Sequence, residues 1–233
     1  MARTDLAGLR ARVLSLADLP SGGFVPNTQL DDFINDSYEA LYEKLIAIHE
    51  PYFETTAALA IVGSTSEYAL PADFFKLNGV DILISGSTQN EFYSVRRYGN
   101  AERNRFSGRL PSGLRDIEAL RYMLRGSNIV FTPSPNQAYT GRILYAPQVT
   151  VLVADADLLA TGMISGWSRW IVVDAAIKCV IKGEQDIKDL AFERSVIEKS
   201  MMESAENRDA NEPVHVVDVR YSGGGELDRL EDW

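Results

Sequence analysis

The sequence predicts an α+β protein: a small antiparallel helical bundle, an inserted region of short antiparallel β-strands, and an extended C-terminal tail. Three observations point there. Residues 165–208 carry two helical periodicities broken at Gly183; a long periodic run precedes Pro51; and the residues between Thr55 and Tyr145 read as short extended segments. Helix, then strands, then helices argues for segregated α and β layers and against a wound parallel sheet. The boundaries follow: residues 1–52 and 160–208 as the helical bundle, 53–159 as the β-rich insertion, and 209–233 as a docking tail.

The helical pair is the organising stretch. Ser165 is a plausible N-cap, and Trp167, Trp170, Ile171, Ile177, Val180 and Ile181 recur at three- and four-residue steps. Val172, Val173 and Cys179 lie off that stripe, which predicts a helix covered on most sides. After Gly183 the step resumes through Ile187, Leu190, Arg194, Ile197, Met201 and Ala205. So short a break folds the two helices back on each other.

From the N-terminus, residues 4–17 form a short amphipathic helix, with Leu6, Leu9, Val13, Leu14 and Leu16 apolar and Asp5, Arg10 and Arg12 facing water. Pro20-Ser-Gly-Gly is a loop. A second helix starts near Thr28, which with Asp31 approximates a capping box. Leu30, Phe33, Ile34, Ser37, Leu41, Lys44, Leu45 and Ile48 sustain it to Pro51.

Beyond Pro51 the pattern changes. Thr55 to Val62 and Glu67 to Leu70 read as extended segments around Gly63-Ser-Thr-Ser, and Pro71-Ala-Asp-Phe-Phe as one helical turn. Val80 to Ile84 and Phe92 to Arg97 bracket a hairpin signal, residues 99–107 read as a short helix, and Glu118 to Leu124 with Ile129 to Phe131 flank Arg125-Gly-Ser-Asn as a second hairpin. Thr140 to Tyr145 is a further strand.

The tail alternates through Val214, Val216, Val217, Val219 and Tyr221, then runs through Ser222-Gly-Gly-Gly to an acidic end at Trp233. It has too little apolar content for a core of its own. Either it frays, or another chain supplies its partner.

A content of 45 % hydrophobic and 24 % charged residues is ordinary for a globular chain. No apolar run is long enough to span a bilayer, and Met-Ala-Arg-Thr-Asp-Leu lacks the apolar core of a signal peptide, which favours synthesis in the cytoplasm and no membrane partner. The single cysteine, Cys179, excludes an intrachain disulfide and reads as packing. No phosphate loop, dinucleotide fingerprint or nucleophile elbow occurs. His49 and His215 have no ligand at metal spacing, so neither a metal nor any other cofactor is expected. Asp155 and Asp157 form the one carboxylate pair that an enzyme reading would need, and they read more simply as loop capping residues. Ser195, mid-helix, has no base in its sequence context. The chain is therefore read as a non-enzyme.

The net charge of −10 argues against a general nucleic-acid coat. Charge is uneven, however. Arg96 to Arg125 holds eight arginines and three acids, and Asp209 to Trp233 seven acids and two arginines. Each block reads either as solvated surface or as one side of a subunit contact, in which Arg96, Arg97, Arg103, Arg105 and Arg109 are the candidate inter-subunit basic face, meeting acidic surface on a neighbour. Phe92, Tyr93, Tyr98 and Phe106 interleave with them. Such interleaving can stack single strands, though aromatics in hairpins more often face a sheet core.

Several segments together carry a resemblance: Asp32-Phe-Ile-Asn-Asp-Ser-Tyr-Glu-Ala-Leu-Tyr, Pro51-Tyr-Phe, Tyr68-Ala-Leu-Pro-Ala-Asp-Phe-Phe-Lys-Leu, Leu110-Pro-Ser-Gly, Ile129-Val-Phe-Thr-Pro-Ser-Pro-Asn, Ile143-Leu-Tyr-Ala-Pro and Trp170-Ile-Val-Val-Asp-Ala-Ala-Ile. In this order and spacing the chain resembles the head-to-tail adaptor (connector) proteins of tailed bacteriophages. The resemblance implies a structural virion protein of the neck, a homo-oligomeric and typically dodecameric ring beneath the portal protein. The C-terminal segment would reach the portal, a tail or stopper protein would sit on the opposite side, and DNA would pass through the lumen without being read. A head-completion or stopper protein, or a structural protein next to the tail tube, is the alternative within the same setting.

Overall fold

The computed structural model describes residues 5–20, 23–48, 50–84, 91–102, 104–105, 115–160 and 167–206. Among them are five α-helices and two four-stranded sheets, an α+β arrangement. The helices are α1 (Leu6–Leu16), α2 (Asn27–Ile48), α3 (Arg115–Ala119), α4 (Ser168–Lys182) and α5 (Lys188–Glu206).

Helix α4 lies at the centre of the helical layer. Trp170, Ile171, Val172, Val173, Ala175, Ala176, Ile177, Cys179 and Val180 are all buried, as residues both on and off its apolar stripe require, and α1, α2 and α5 pack against it. Each large side chain enclosed here contributes about 1.5–3 kcal/mol. Ile181 departs from the expected stripe and is 55 % exposed. It sits in the last turn, where the chain from Ile181 to Asp186 is exposed apart from half-buried Lys182. Helix α5 buries only Met201 and Ala205 fully and keeps a wide outer face.

On α2 the buried set includes Tyr38, Tyr42 and Ile46 beside the expected Leu30, Ile34, Ser37, Leu41 and Leu45. The tyrosines carry the helix into the rest of the molecule. The Tyr38 hydroxyl accepts from the Ala160 N–H at 2.6 Å, and Tyr42 donates to the Pro147 carbonyl at 2.7 Å while stacking on Phe53.

The first sheet has the order β1-β8-β3-β4, built from β1 (Thr55–Ile61), β3 (Phe74–Leu83), β4 (Phe92–Ser94) and β8 (Tyr139–Pro147). The second has the order β2-β7-β6-β5, from β2 (Glu67–Ala69), β5 (Arg96–Arg97), β6 (Arg121–Arg125) and β7 (Asn128–Thr132). The chain passes between the sheets after β1, β2, β4 and β7. Leu59, Ile82 and Ile143 of one sheet share an apolar core with Tyr122, Ile129 and Phe131 of the other. At the first crossing the Tyr68 hydroxyl receives the Val62 N–H at 2.8 Å and lies 2.9 Å from the Val62 and Thr65 carbonyls.

Several local expectations are corrected. Pro71 to Phe75 is not a helical turn: a tight turn returns Phe74 to extended backbone, where it pairs with Pro147 and stacks on Tyr145, so cross-strand pairing prevails over local turn preference. Glu118 and Ala119 belong to α3 and not to a strand, because a helical turn puts Ile117 and Leu120 into the β core together. Where a short helix is expected over residues 99–107, the described residues hold a 3-10 turn at Asn100–Glu102, and residues 103, 106 and 107 lie outside the described residues. Phe92 to Arg97 is not one strand. It pairs antiparallel with β3 through Ser94, buries Val95, and then continues as β5 in the other sheet. There β5 runs parallel to β6, so the insertion is not wholly antiparallel as expected.

Candidate interaction surfaces

The expected basic face divides. Arg96 and Arg97 are exposed on β5, the outer strand of the second sheet, and Arg105 is exposed with its guanidinium 3.6 Å from Glu102. Arg103 and Arg109 lie outside the described residues. The parallel register sets Arg96 opposite Arg121 and Arg97 opposite Tyr122. Two arginine-bearing segments far apart in sequence therefore meet at one sheet edge, and nothing in local periodicity announces a two-residue parallel pairing. Burial pushes the Tyr122 phenol up, opposed by the Arg97 guanidinium beside it.

Of the interleaved aromatics, Phe92 and Tyr98 do not form a stacking platform at that edge. Tyr98 is buried with its hydroxyl 2.9 Å from Thr132 Oγ1. Phe92 is covered by the Arg142 guanidinium, 3.9 Å from the ring centre, and Arg142 Nε donates to Asp81 at 2.9 Å. Phe106 lies outside the described residues. The docking residues Val214, Val216, Val217, Val219, Tyr221 and Trp233 lie outside them too.

Asp155 and Asp157 anchor a loop to α1. The Asp157 carboxylate accepts the Val153 and Ala154 N–H groups, each at 2.7 Å, which holds its pKa below the usual carboxylate value. Backbone carbonyls of Asp157 and Asp155 receive the N–H groups of Leu6 and Ala7 at the start of α1. Asp5 caps that helix by accepting from Gly8 at 3.0 Å. Arg10, expected in water, instead bridges Asp31 of α2 and Asp155 of the loop, and its side chain is only 16 % exposed. Asp31 is thereby an ion-pair partner and not the expected capping-box residue. Both loop aspartates are engaged in architecture, and among the described residues no group of three His, Cys, Asp or Glu side chains is placed to hold a metal.

Cys179 is buried in the helical core, where burial pushes its thiol up and away from nucleophilic range. Ser195 donates to the Phe192 carbonyl at 2.7 Å on the surface of α5. Among the described residues no helix is long and apolar enough to cross a membrane.

A family model described as SU10 adaptor protein matches residues 4–182. The chain belongs to the SU10 adaptor protein family. The match covers α1 through α4 and both sheets and ends before α5 and the tail. It is a phage head-tail adaptor family, so the chain is a structural adaptor of a bacteriophage. A search of curated proteins finds no match.

Proposed function

We propose that this adaptor assembles as a homo-oligomeric ring in the virion neck, beneath the portal protein, and links the capsid to the tail. The observation that carries the reading is the family match over residues 4–182. In this reading the helical body, with α4 and α5 as an antiparallel hairpin, is the bundle of residues 1–52 and 160–208. Residues 53–159 form the insertion, and 209–233 the tail that docks through Val214, Val216, Val217, Val219, Tyr221 and Trp233. The Arg96–Arg97 edge, with Arg103, Arg105 and Arg109, meets acidic surface of the adjacent subunit. The net charge of −10 suits a lumen that repels phosphate and lets DNA slide to the tail. No cofactor and no catalytic step is part of this function.

The test is removal of residues 210–233. The shortened chain is expected to keep its helicity by circular dichroism and to lose co-sedimentation with isolated portal rings. Retained binding to the portal refutes tail docking. Binding to tail components alone, with none to the portal, identifies a stopper instead.

A further inference from the structure

Strand β1 is an outer strand of the first sheet, paired with β8 on one side and with no strand of the described residues on the other. Its seven residues, Thr-Thr-Ala-Ala-Leu-Ala-Ile, contain no charge and no proline, and the register with β8 runs unbroken from Thr55↔Tyr145 to Ile61↔Tyr139. Isolated proteins blunt such edges with short strands, charged residues, prolines or bulges, because a row of unpaired N–H and C=O groups templates another strand. The other three outer strands follow that rule: β2 and β4 have three residues each, and β5 has two, both arginine. Among the described residues a long, uncharged outer strand is found at β1 alone, which marks it as a surface that assembly covers.

We infer that residues 214–221 of a second copy of this chain add to the β1 edge, lacing one subunit to the next. This rests on the ring reading above and divides the tail within it: residues 214–221 take the neighbouring subunit, and the segment from Ser222 to Trp233 is left for the portal. The segment Val-His-Val-Val-Asp-Val-Arg-Tyr has the length of the seven-residue edge to within one residue. Its alternation places His215, Val217, Val219 and Tyr221 on one face and Val214, Val216, Asp218 and Arg220 on the other. The first set continues the side of the sheet on which Leu59 and Ile61 are buried, and the second continues the side on which Thr56, Ala58 and Ala60 are exposed. The seven residues between Glu206 and Val214 span at most about 25 Å, enough to cross a contact between touching subunits. An edge and a donor strand on the same chain make a head-to-tail contact, which generates a ring when the rotation closes. Backbone hydrogen bonds supply the affinity, and the two faces set the register.

Cross-linking of the full chain tests this. One set of variants carries a cysteine at Thr56, Ala58 or Ala60, and a second set carries one at Val216, Asp218 or Arg220. Opposite residues in a non-hydrogen-bonded antiparallel pair have Cα atoms about 4.5 Å apart, within the span of a disulfide. Cys179 is buried and does not compete. Mixing one chain of each set under oxidising conditions is expected to give a disulfide-linked pair in at least one combination. A chain carrying both cysteines of that combination should give a ladder of linked copies. Val217→Pro, which removes a donor N–H, should lower the native mass of the assembly while leaving the circular dichroism of the subunit unchanged. Closure of the doubly substituted chain on itself, as a monomer of altered mobility, overturns the inference. So does a wild-type multimer in which no combination cross-links, or whose mass Val217→Pro leaves intact; either result leaves the ring reading standing. A chain that stays monomeric both alone and with portal rings removes the ring reading and the inference together.

Discussion

Arg194 Nη1 lies 2.7 Å from Asp174 Oδ1, tying α5 to α4 through a carboxylate whose side chain is 9 % exposed. Ser37 of α2 meets the other oxygen at 2.8 Å, and Lys178 stands 3.4 Å away. Three helices therefore converge on one buried charge, which is tolerable only because each of its oxygens is partnered. Replacing Arg194 by Leu leaves Asp174 with Ser37 and Lys178 and should cost about 1–3 kcal/mol in chemical denaturation. Asp174→Ala should cost a similar amount, because it removes the carboxylate that joins Ser37, Lys178 and Arg194, although Ser37 and Lys178 keep the Phe33 carbonyl and each other.

The same carboxylate predicts a pH dependence. Burial pushes Asp174 up, but hydrogen bonds from Arg194 and Ser37 and the nearby Lys178 charge outweigh it, so its pKa lies below the ordinary 3.8. Glu198 behaves alike: burial pushes it up, and Lys44 and the Trp170 indole N–H bring it below the ordinary 4.5. Folded-state values below the unfolded ones mean that the folded chain binds fewer protons. The stabilisation is complete above the unfolded values and is lost as pH falls through the folded ones. Denaturation midpoints measured from neutral pH down through the carboxylate range should fall, and Asp174→Asn should flatten part of that fall.

Tyr42 joins the helical layer to the strands, so its two halves should separate by mutation. Tyr42→Phe removes the bond to the Pro147 carbonyl while keeping the ring stacked on Phe53, with centroids 4.4 Å apart. The expected loss is about 1 kcal/mol. Tyr42→Ala removes the ring as well and should cost about 3–5 kcal/mol, the range for deleting a buried aromatic. Equilibrium unfolding of both variants measures the difference.

Gly141 sits in the middle of β8, between β1 and β3. A Cβ there would lie 3.0 Å from the Asp81 carbonyl oxygen and 3.3 Å from that of Leu59. Both neighbours are backbone and neither can rotate aside. Gly141→Ala should destabilise by about 1–3 kcal/mol, the usual cost of overpacking, read as a lowered thermal midpoint.

Asp155 is 76 % exposed in its ion pair with Arg10, and Asp31 holds the same guanidinium from the other side. Asp155→Ala should therefore cost no more than about 1 kcal/mol. Added magnesium or manganese should leave the thermal midpoint of wild type and variant alike. A metal-dependent rise abolished by Asp155→Ala would bring back the enzyme reading of this loop.

Apolar spacing over several turns or pleats was enough to identify the long helices and most extended segments, whereas short pieces such as Pro71 to Phe75 and Glu118 to Ala119 took their form from distant contacts. The step through Leu30, Ile34, Leu41 and Leu45, and the density of apolar residues around Trp170, were enough to identify helices and their buried sides. Tertiary structure alone decided what pairs with what. Arg10 reads as a surface charge until α1 lies across α2 and brings Asp31 and Asp155 to it. Phe92 to Arg97 reads as a single strand until Val95 turns inward and sends Arg96 to the opposite sheet. Tyr38 and Tyr42 read as ordinary members of a helix until their hydroxyls find carbonyl and amide groups more than a hundred residues away. Local pattern encodes how a segment folds; the partner that satisfies a buried charge, a hydroxyl or a strand edge is fixed only when distant segments come together.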